Sequence, residues 1–276
     1  MKNSDVFKNN TITIENSKNK NSTLVQFETE NLENWLDKSF LNKLHFIFAG
    51  TQSGKTCYTT ALIYAIIKNN PNLTIWTFII TETEDAIKKM QNIYPHLKNL
   101  NPNFVFTYTF KFDVAITKYE KIIEENNKVA KENKNKIFYI FYFDDIAVYL
   151  QDKRYKNFMI KYVSNSRHNN ITTIMNSQII KNVPDVIKNQ LFSISILDIP
   201  SHTNLQNLYR NIPCINNIFN SEKDVTSFWS KTVKEQFKRY TIIIFKKMSS
   251  KIFIYKVSRR LLLMMDPNYE KDCMKK

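Results

Sequence analysis

"FIFAGTQSGKT", residues 46–56, contains both glycines of this 276-residue chain. Average usage would place about nineteen glycines in a chain of this length. Residues 49–56, AGTQSGKT, match the phosphate-loop pattern with alanine in place of its first glycine. An apolar stretch precedes the loop and a helix-forming stretch, CYTTALIYAIIKN, follows it. The pattern predicts a strand, then a loop whose backbone N–H groups bind phosphate oxygens, then a helix whose positive N-terminal end faces the same phosphates.

The loop also predicts roles for its side chains. Gly50 and Gly54 permit backbone angles and a close approach that a side chain would block. Lys55 is predicted to reach the β and γ phosphates, and the Thr56 hydroxyl to bind Mg²⁺. The predicted nucleotide-binding residues are Ala49, Gly50, Thr51, Gln52, Ser53, Gly54, Lys55, Thr56 and Cys57. The alternative is a tight turn that caps an ordinary helix.

Composition indicates a folded protein with a polyanionic partner. Hydrophobic residues make up 43% of the chain and aromatic residues 13%, which is enough for a large α/β core. Forty Lys and Arg against 25 Asp and Glu give a net charge of +15, which favours nucleic acid ahead of membrane as a partner. Residues 231–276 hold 13 of the basic and 4 of the acidic residues. The alternative for that segment is a solvated tail.

Cysteine usage and hydropathy predict a soluble protein in a reducing compartment. The three cysteines lie far apart and give neither a disulfide framework nor a metal-binding spacing. Residues 1–20 are polar, and the longest apolar run, 137–150, is interrupted by two aspartates. We therefore expect no signal peptide and no membrane span.

Apolar runs alternate with helical patterns along the chain. The predicted strands are LHFIFAG (44–50), LTIWTFIIT (73–81), FVFTYTFKF (104–112), IFYIFYFDD (137–145), ITTIMNSQ (171–178) and LFSISIL (191–197). The intervening stretches 55–69, 82–94, 115–134 and 149–163 have helical spacing. This alternation predicts an α/β fold with a mostly parallel central sheet and helices on both faces.

Other segments of the sequence predict edge strands, a further helix and a hairpin. FVFTYTFKF alternates apolar and polar residues, which suits an edge strand, and TITIE (11–15) predicts one edge strand within a polar arm, 1–30. Helical spacing at 31–43 predicts a helix before the first core strand. Residues 203–239 have a helical and loop-like pattern, and 240–246 with 251–257 predict a C-terminal β-hairpin.

Two acids follow the most apolar strand. In phosphate-loop enzymes a second buried strand ends in an Asp that holds Mg²⁺, and an acidic neighbour orients the attacking water. We assign Asp144 to the metal and Asp145 to the water. The alternative is a pair of residues that caps the next helix.

The next strand is flanked by two further candidates. Gln178 ends it and is predicted to sense the γ phosphate; the alternative is an ordinary loop residue. Arg167 precedes the strand, at the edge of a parallel sheet opposite the nucleotide, so it would serve the nucleotide of a neighbouring subunit. Its alternative is a surface salt bridge, and His168 is interpreted as structural.

AGTQSGKT, then FYFDD, then SRHNNITTIMNSQ, in that order, resembles the genome-packaging ATPases of large DNA viruses and virophages, the poxvirus-type branch of the FtsK/HerA superfamily. The resemblance covers about residues 44–200. It implies a RecA-like P-loop core with ATP and Mg²⁺ as cofactors, a homo-oligomeric ring of five or six subunits, and movement of double-stranded DNA into a capsid. Two departures are Ala49 and Ser166, since glycine is frequent at both positions.

By position, the resemblance implies that Lys55, Asp145, Gln178 and Arg167 are catalytic and that Thr56 and Asp144 are metal ligands. It also implies capsid or portal vertex proteins as partners, and a location in the host cytoplasm or on the virion. The predicted domains are an arm and helix (1–40), the ATPase domain (41–258) and a basic tail (259–276). The alternatives are a HerA-like DNA translocase, a conjugation- or secretion-type ring ATPase, or a structural protein that binds nucleic acid without hydrolysis.

Overall fold

The structure is a computed structural model of the whole chain. The residues that it describes are 8–15, 22–36, 40–50, 53–132, 136–197, 201–230, 241–247, 249 and 251–256. Predictions that fall on Thr51 and Gln52, or on the basic tail 259–276, lie outside the described residues.

A ten-stranded sheet organises the described part of the chain. Its strands are β1 (Lys8–Glu15), β2 (Ser22–Asn31), β3 (Leu44–Phe48), β4 (Thr74–Ile80), β5 (Phe104–Thr109), β6 (Ile137–Phe143), β7 (Ile171–Ser177), β8 (Ser193–Ile196), β9 (Thr241–Lys246) and β10 (Ile252–Lys256). Their order across the sheet is β1-β2-β10-β9-β8-β3-β7-β6-β4-β5. Strands β3 to β8 are parallel, whereas β9 is antiparallel to β8 and β10, and β1 is antiparallel to β2.

Helices cover both faces of this sheet. The described helices are α1 (Leu32–Leu36), α2 (Lys55–Lys68), α3 (Glu84–Leu100), α4 (Phe112–Glu132), α5 (Ile146–Tyr149), α6 (Lys153–Ser166), α7 (Asp185–Gln190), α8 (His202–Asn211), α9 (Pro213–Asn216) and α10 (Glu222–Phe228). One apolar cluster holds residues of α1, α2 and α3, and the other holds residues of α4 to α10. Neighbouring strand residues such as Phe141 and Tyr142 fall in different clusters, because successive side chains of a strand point to opposite faces. The predicted α/β fold is therefore confirmed.

Burial explains the order of the strands. Strands β3 and β7 are buried at every residue, as expected for apolar strands between two helical layers. The alternating strand β5 lies at one edge of the sheet and β1 at the other, so both predicted edges are confirmed. The β9–β10 hairpin is confirmed as well.

The N-terminal segment differs from the prediction. Strand β2 lies within the stretch predicted to be a polar arm, and it pairs in parallel with β10, with Phe27 opposite Ile252. The helix predicted for 31–43 is described only as α1, and Phe40 packs into the same cluster from outside a helix. Helix α3 continues through Pro95, where the pattern predicted its end. The division of the chain into domains stays a prediction.

Candidate functional site

The carboxyl ends of the parallel strands hold the predicted phosphate loop. Strand β3 ends at Phe48 and α2 begins at Lys55, as the sequence predicts. Gly54 has a φ of 86°, in the left-handed region that disfavours side chains, and a Cβ added there would meet no atom within 4 Å. The Ser53 hydroxyl donates to the Gly50 carbonyl over 2.7 Å. The hydrogen bond therefore ties Ser53 back to Gly50, beside the N-terminus of α2.

The Lys55 ammonium lies over this loop. Its Nζ donates to the carbonyl oxygens of Ala49 and Gly50, at 3.2 and 3.0 Å. Burial lowers the pKa of Lys55, while the carboxylates of Asp145 and Asp144 act to raise it. Both predicted acids are therefore close enough to act on the ammonium, at the same edge of the sheet.

A hydrogen-bond network holds the Asp144 carboxylate. Thr81 Oγ1 donates to Oδ2 over 3.0 Å, and Tyr142 Oη donates to Oδ1 over 2.8 Å. Asn176 Nδ2 donates to Tyr142 Oη at 2.8 Å and also approaches Asp144 Oδ1 at 3.3 Å. Thr59 Oγ1 in turn donates to Asn176 Oδ1 at 3.1 Å. The network connects β4, β6, β7 and α2 around one carboxylate and fixes its orientation.

Tyr142 is the link between that carboxylate and the phosphate loop. Its phenol is buried, and burial is the largest cause of a pKa raised well above the ordinary value, followed by the charge of Asp144. The side chains of Thr59 and Thr56 also interact with the hydroxyl. The Tyr142 phenol therefore stays protonated and donates to Asp144, with Thr56 of the loop close to its hydroxyl.

This donor set fits a magnesium–nucleotide complex. Mg²⁺ prefers oxygen ligands and keeps several waters, with one or two protein side chains and substrate phosphates completing its shell. Thr56 and Asp144 supply one hydroxyl and one carboxylate beside the loop. Among the described residues, no three His, Cys, Asp or Glu side chains converge on one point, so a protein-only metal cage is absent from that part of the chain.

Asp145 and Gln178 contact each other directly. Gln178 Nε2 donates to Asp145 Oδ2 over 3.2 Å, which joins the ends of β6 and β7. Asp145 occupies the position that caps α5, but its side chain accepts no capping hydrogen bond. Its φ of 49° is uncommon for a residue with a side chain. The geometry therefore favours the site over the capping alternative for this carboxylate.

The structure separates Arg167 from this constellation. Arg167 is exposed in a short 3₁₀ turn, Arg167–Asn169, that precedes β7 at the amino edge of the sheet. It forms no ion pair with any described residue, so the salt-bridge alternative is not seen in that part of the chain. His168 beside it is also exposed. Cys57, by contrast, is half-buried in the first turn of α2 and packs against the apolar cluster.

Sequence reasoning missed the residues that support Asp144. A polar Asn176 within the buried run ITTIMNS was the available signal, because a buried amide requires hydrogen-bond partners. Tyr142 gave no signal, since it lies among six other aromatic and apolar residues of β6. Thr81 and Thr59 are common residue types that only the folded chain brings into contact.

Comparison with known proteins agrees with the geometry. The family described as "Poxvirus A32 protein" matches residues 25–266. The chain belongs to the poxvirus A32 protein family. The resemblance inferred from the motifs to poxvirus-type ATPases is therefore confirmed at the level of the family. No match was found among proteins with curated descriptions.

Solved structures resemble this A32-family chain in fold. The DNA-packaging ATPase B204 of Sulfolobus turreted icosahedral virus has a TM-score of 0.54 at 14% identity, over 80% of this chain and 100% of its own. The genome packaging NTPase B204 of Sulfolobus turreted icosahedral virus 2, in complex with ATP-gammaS, has a TM-score of 0.52 at 12% identity, over 79% of this chain and 98% of its own. EssC (ATPases 2 and 3) of Geobacillus thermodenitrificans has a TM-score of 0.51 at 12% identity, over 95% of this chain and 48% of its own.

Across the described ranges, no helix combines the length and the apolar character needed to cross a bilayer.

Proposed function

We propose that this chain is an ATPase whose hydrolysis drives double-stranded DNA into a viral capsid. The observation that carries the proposal is the placement of Lys55, Asp144 and Asp145 at one edge of the sheet, where both carboxylates act on the ammonium. Membership of the A32 family and the fold shared with B204 support it. The net charge of +15 suits a polyanionic partner.

The residues divide into those that bind the nucleotide and those that act on water. Lys55 and the N-terminus of α2 would bind the phosphates, and Thr56 and Asp144 would hold Mg²⁺, which neutralises charge on the phosphates when bound. Asp145 would orient the attacking water, and Gln178 would report the phosphate through its contact with Asp145. In this scheme, movement of Gln178 displaces the carboxylate that it contacts.

Arg167 would act on the nucleotide of a neighbouring subunit. It lies at the opposite edge of the sheet from Lys55, is exposed, and pairs with no described acid. An arginine supplied across an interface stabilises charge on the transferred phosphoryl group and makes hydrolysis depend on assembly. We therefore propose a homo-oligomeric ring that acts with capsid or portal vertex proteins, in the host cytoplasm or on the virion.

Phosphate release tests the activity. We expect turnover that duplex DNA stimulates, and we expect Lys55→Ala to abolish it. Lys121→Ala serves as the control, because Lys121 is an exposed lysine of α4, far from the loop in the chain. DNA binding without turnover in any variant would indicate a structural protein and overturn the proposal.

Mixed subunits test the role of Arg167. We expect Arg167→Ala and Asp145→Asn chains to be inactive separately and to recover activity when mixed, because some interfaces then pair an intact arginine with an intact acid. Absence of recovery at every ratio would contradict an action between subunits.

A further inference from the structure

The charged residues on the exposed face of α6 are all basic. The helix carries Lys153, Arg154, Lys156 and Lys161 and no acidic residue between its ends. The absence of acids extends in sequence from residue 153 to residue 184. Residues 38–81 and 236–265 are also free of acids, so the sign of the charge has to be compared helix by helix.

Packing fixes which side of α6 faces outward. Met159, Tyr162 and Val163 are buried against the sheet. Positions 153, 156, 157, 161, 164 and 165 are exposed, and their side chains are lysine, asparagine or serine. These are the residue types that contact phosphate and sugar oxygens in protein–DNA complexes.

The lysines of this face have no acidic partners among the described residues. Arg154 pairs with Asp113 at 2.6 Å, but Lys153, Lys156 and Lys161 form no ion pair there. These lysines can therefore contact an anion without first losing an ion pair to a described residue.

The neighbouring helix α4 shows that exposure alone does not produce such a face. Its charged residues are mixed in sign, with Glu120, Lys121, Glu124, Glu125 and Lys128 in that order. A polyanion that approaches α4 meets repulsion as well as attraction. The two helices lie over the same face of the sheet, so α6 is the more favourable of the two for phosphates.

We propose that the exposed face of α6 binds the phosphate backbone of duplex DNA. This inference rests on the proposed function, since it names the surface on which the motor holds its duplex. Lys153 and Lys161 are about 12 Å apart along the helix, at 1.5 Å per residue. The same length of duplex axis carries about seven phosphate charges, so the row contacts several phosphates without reading sequence.

Helix α6 also lies between the two candidate sites. It follows β6, Asp144, Asp145 and α5 in the chain, and it ends at Ser166, directly before Arg167. A duplex held on this face therefore contacts the element that connects the acids of one nucleotide site with the arginine proposed to act on the next.

A matched pair of triple variants tests the surface. One is Lys153→Gln, Lys156→Gln and Lys161→Gln on α6. The other is Lys121→Gln, Lys128→Gln and Lys136→Gln, which removes the same charge from exposed positions on and after α4. Binding of a fluorescent duplex to the full chain is measured by anisotropy over a salt series, together with phosphate release without DNA and thermal unfolding.

We expect the α6 variant to bind more weakly, with a slope of log affinity against log salt smaller by about 0.9 per lost contact. The α4 variant should keep the wild-type slope, and both should keep DNA-independent phosphate release. Restoration of binding by Lys→Arg at the three α6 positions would support the proposal further. Equal weakening in both variants, or in neither, would overturn it and leave the motor intact. A wild-type chain that binds no duplex would overturn the proposed function as well.

Discussion

The two ends of the parallel strands differ in how they surround a polar side chain. At the carboxyl end, Asp144 accepts hydrogen bonds from three side chains and remains half-buried. At the amino end, His45 of β3 is 1% exposed, with Nδ1 2.9 Å from Ser193 Oγ. Its Nε2 has no hydrogen-bond partner in the described part of the chain.

The surroundings explain the difference. The His45 ring lies edge-on to Phe40 and Phe192, with centroids 5.1 and 5.5 Å away, so aromatic rings enclose it. Burial, as the largest cause, lowers the pKa of His45 to about 3. The carboxylate of Asp144 is instead oriented by donors and left accessible. One end of the sheet therefore leaves a charged group accessible, whereas the other encloses a neutral one, although β3 belongs to both.

The largest effect on this comparison is expected from removing the negative charge of Asp144. Asp144→Asn keeps the shape of the side chain, and we expect turnover to fall by about 10²–10³-fold, the order found for removal of one preorganised polar group. Steady-state phosphate release measures the change. Asp85→Asn, in an exposed carboxylate on α3, should stay near wild type. Comparable losses in the two variants would mean that Asp144 has no special role.

The next largest effect is expected from removing a hydrogen bond that orients the Asp144 carboxylate. Tyr142→Phe removes the donor to Asp144 Oδ1, and we expect the Mg²⁺ concentration for half-maximal turnover to rise by about 10–100-fold, as for other outer partners of metal ligands. Tyr162→Phe is the matched control. It removes a buried hydroxyl that bonds Thr173 on the opposite face, at a similar cost of about 1 kcal/mol in the free energy of unfolding. An equal Mg²⁺ shift in both variants would point to general destabilisation.

His45, at the amino end of the parallel strands, predicts that the stability of the fold depends on pH. The folded state excludes the proton that His45 binds when unfolded, because its pKa falls from 6.5 to about 3 on folding. The free energy of unfolding should therefore decrease as the pH falls below about 6.5, by up to about 1.4 kcal/mol per pH unit from this group. Urea unfolding between pH 7 and 5 measures the slope.

His45→Gln is the control for that slope, because glutamine does not titrate. We expect the variant to be less stable at pH 7 and to show a shallower dependence between pH 7 and 5. A slope equal to that of the wild type would assign the effect to other groups.

The smallest effect is expected from a substitution that tests the backbone conformation of the loop at Gly54. Gly54→Ala places a side chain at a φ of 86°, where an added Cβ meets no atom within 4 Å. The cost therefore comes from the backbone alone and should be about 1–2 kcal/mol in the free energy of unfolding. Thermal unfolding measures it, and Ser53→Ala, which loses the bond to Gly50 but no backbone freedom, is the comparison. A Gly54→Ala chain as stable as the wild type would contradict a strained loop.

Local patterns in the sequence were sufficient to predict much of this architecture. Two glycines and a following lysine marked the loop, and apolar runs that end in Asp144 and Gln178 marked the strand ends. Because parallel strands place their carboxyl ends along one edge, these residues had to lie near one another. Strand β2 was missed, since it lies in the stretch 1–30 that was predicted to be a polar arm, and its pairing with β10 joins distant parts of the chain.

The sequence by itself determined the class of fold, the order of strand, loop and helix around residues 49–56 and the edge at which the acids lie, because these depend on backbone geometry and on periodicity within a few residues. Only the tertiary structure decided that Tyr142, Asn176 and Thr81 surround Asp144 and that His45 is enclosed by rings. Those contacts depend on the register between strands and on side-chain packing, in which residues far apart in the chain fill one another's space.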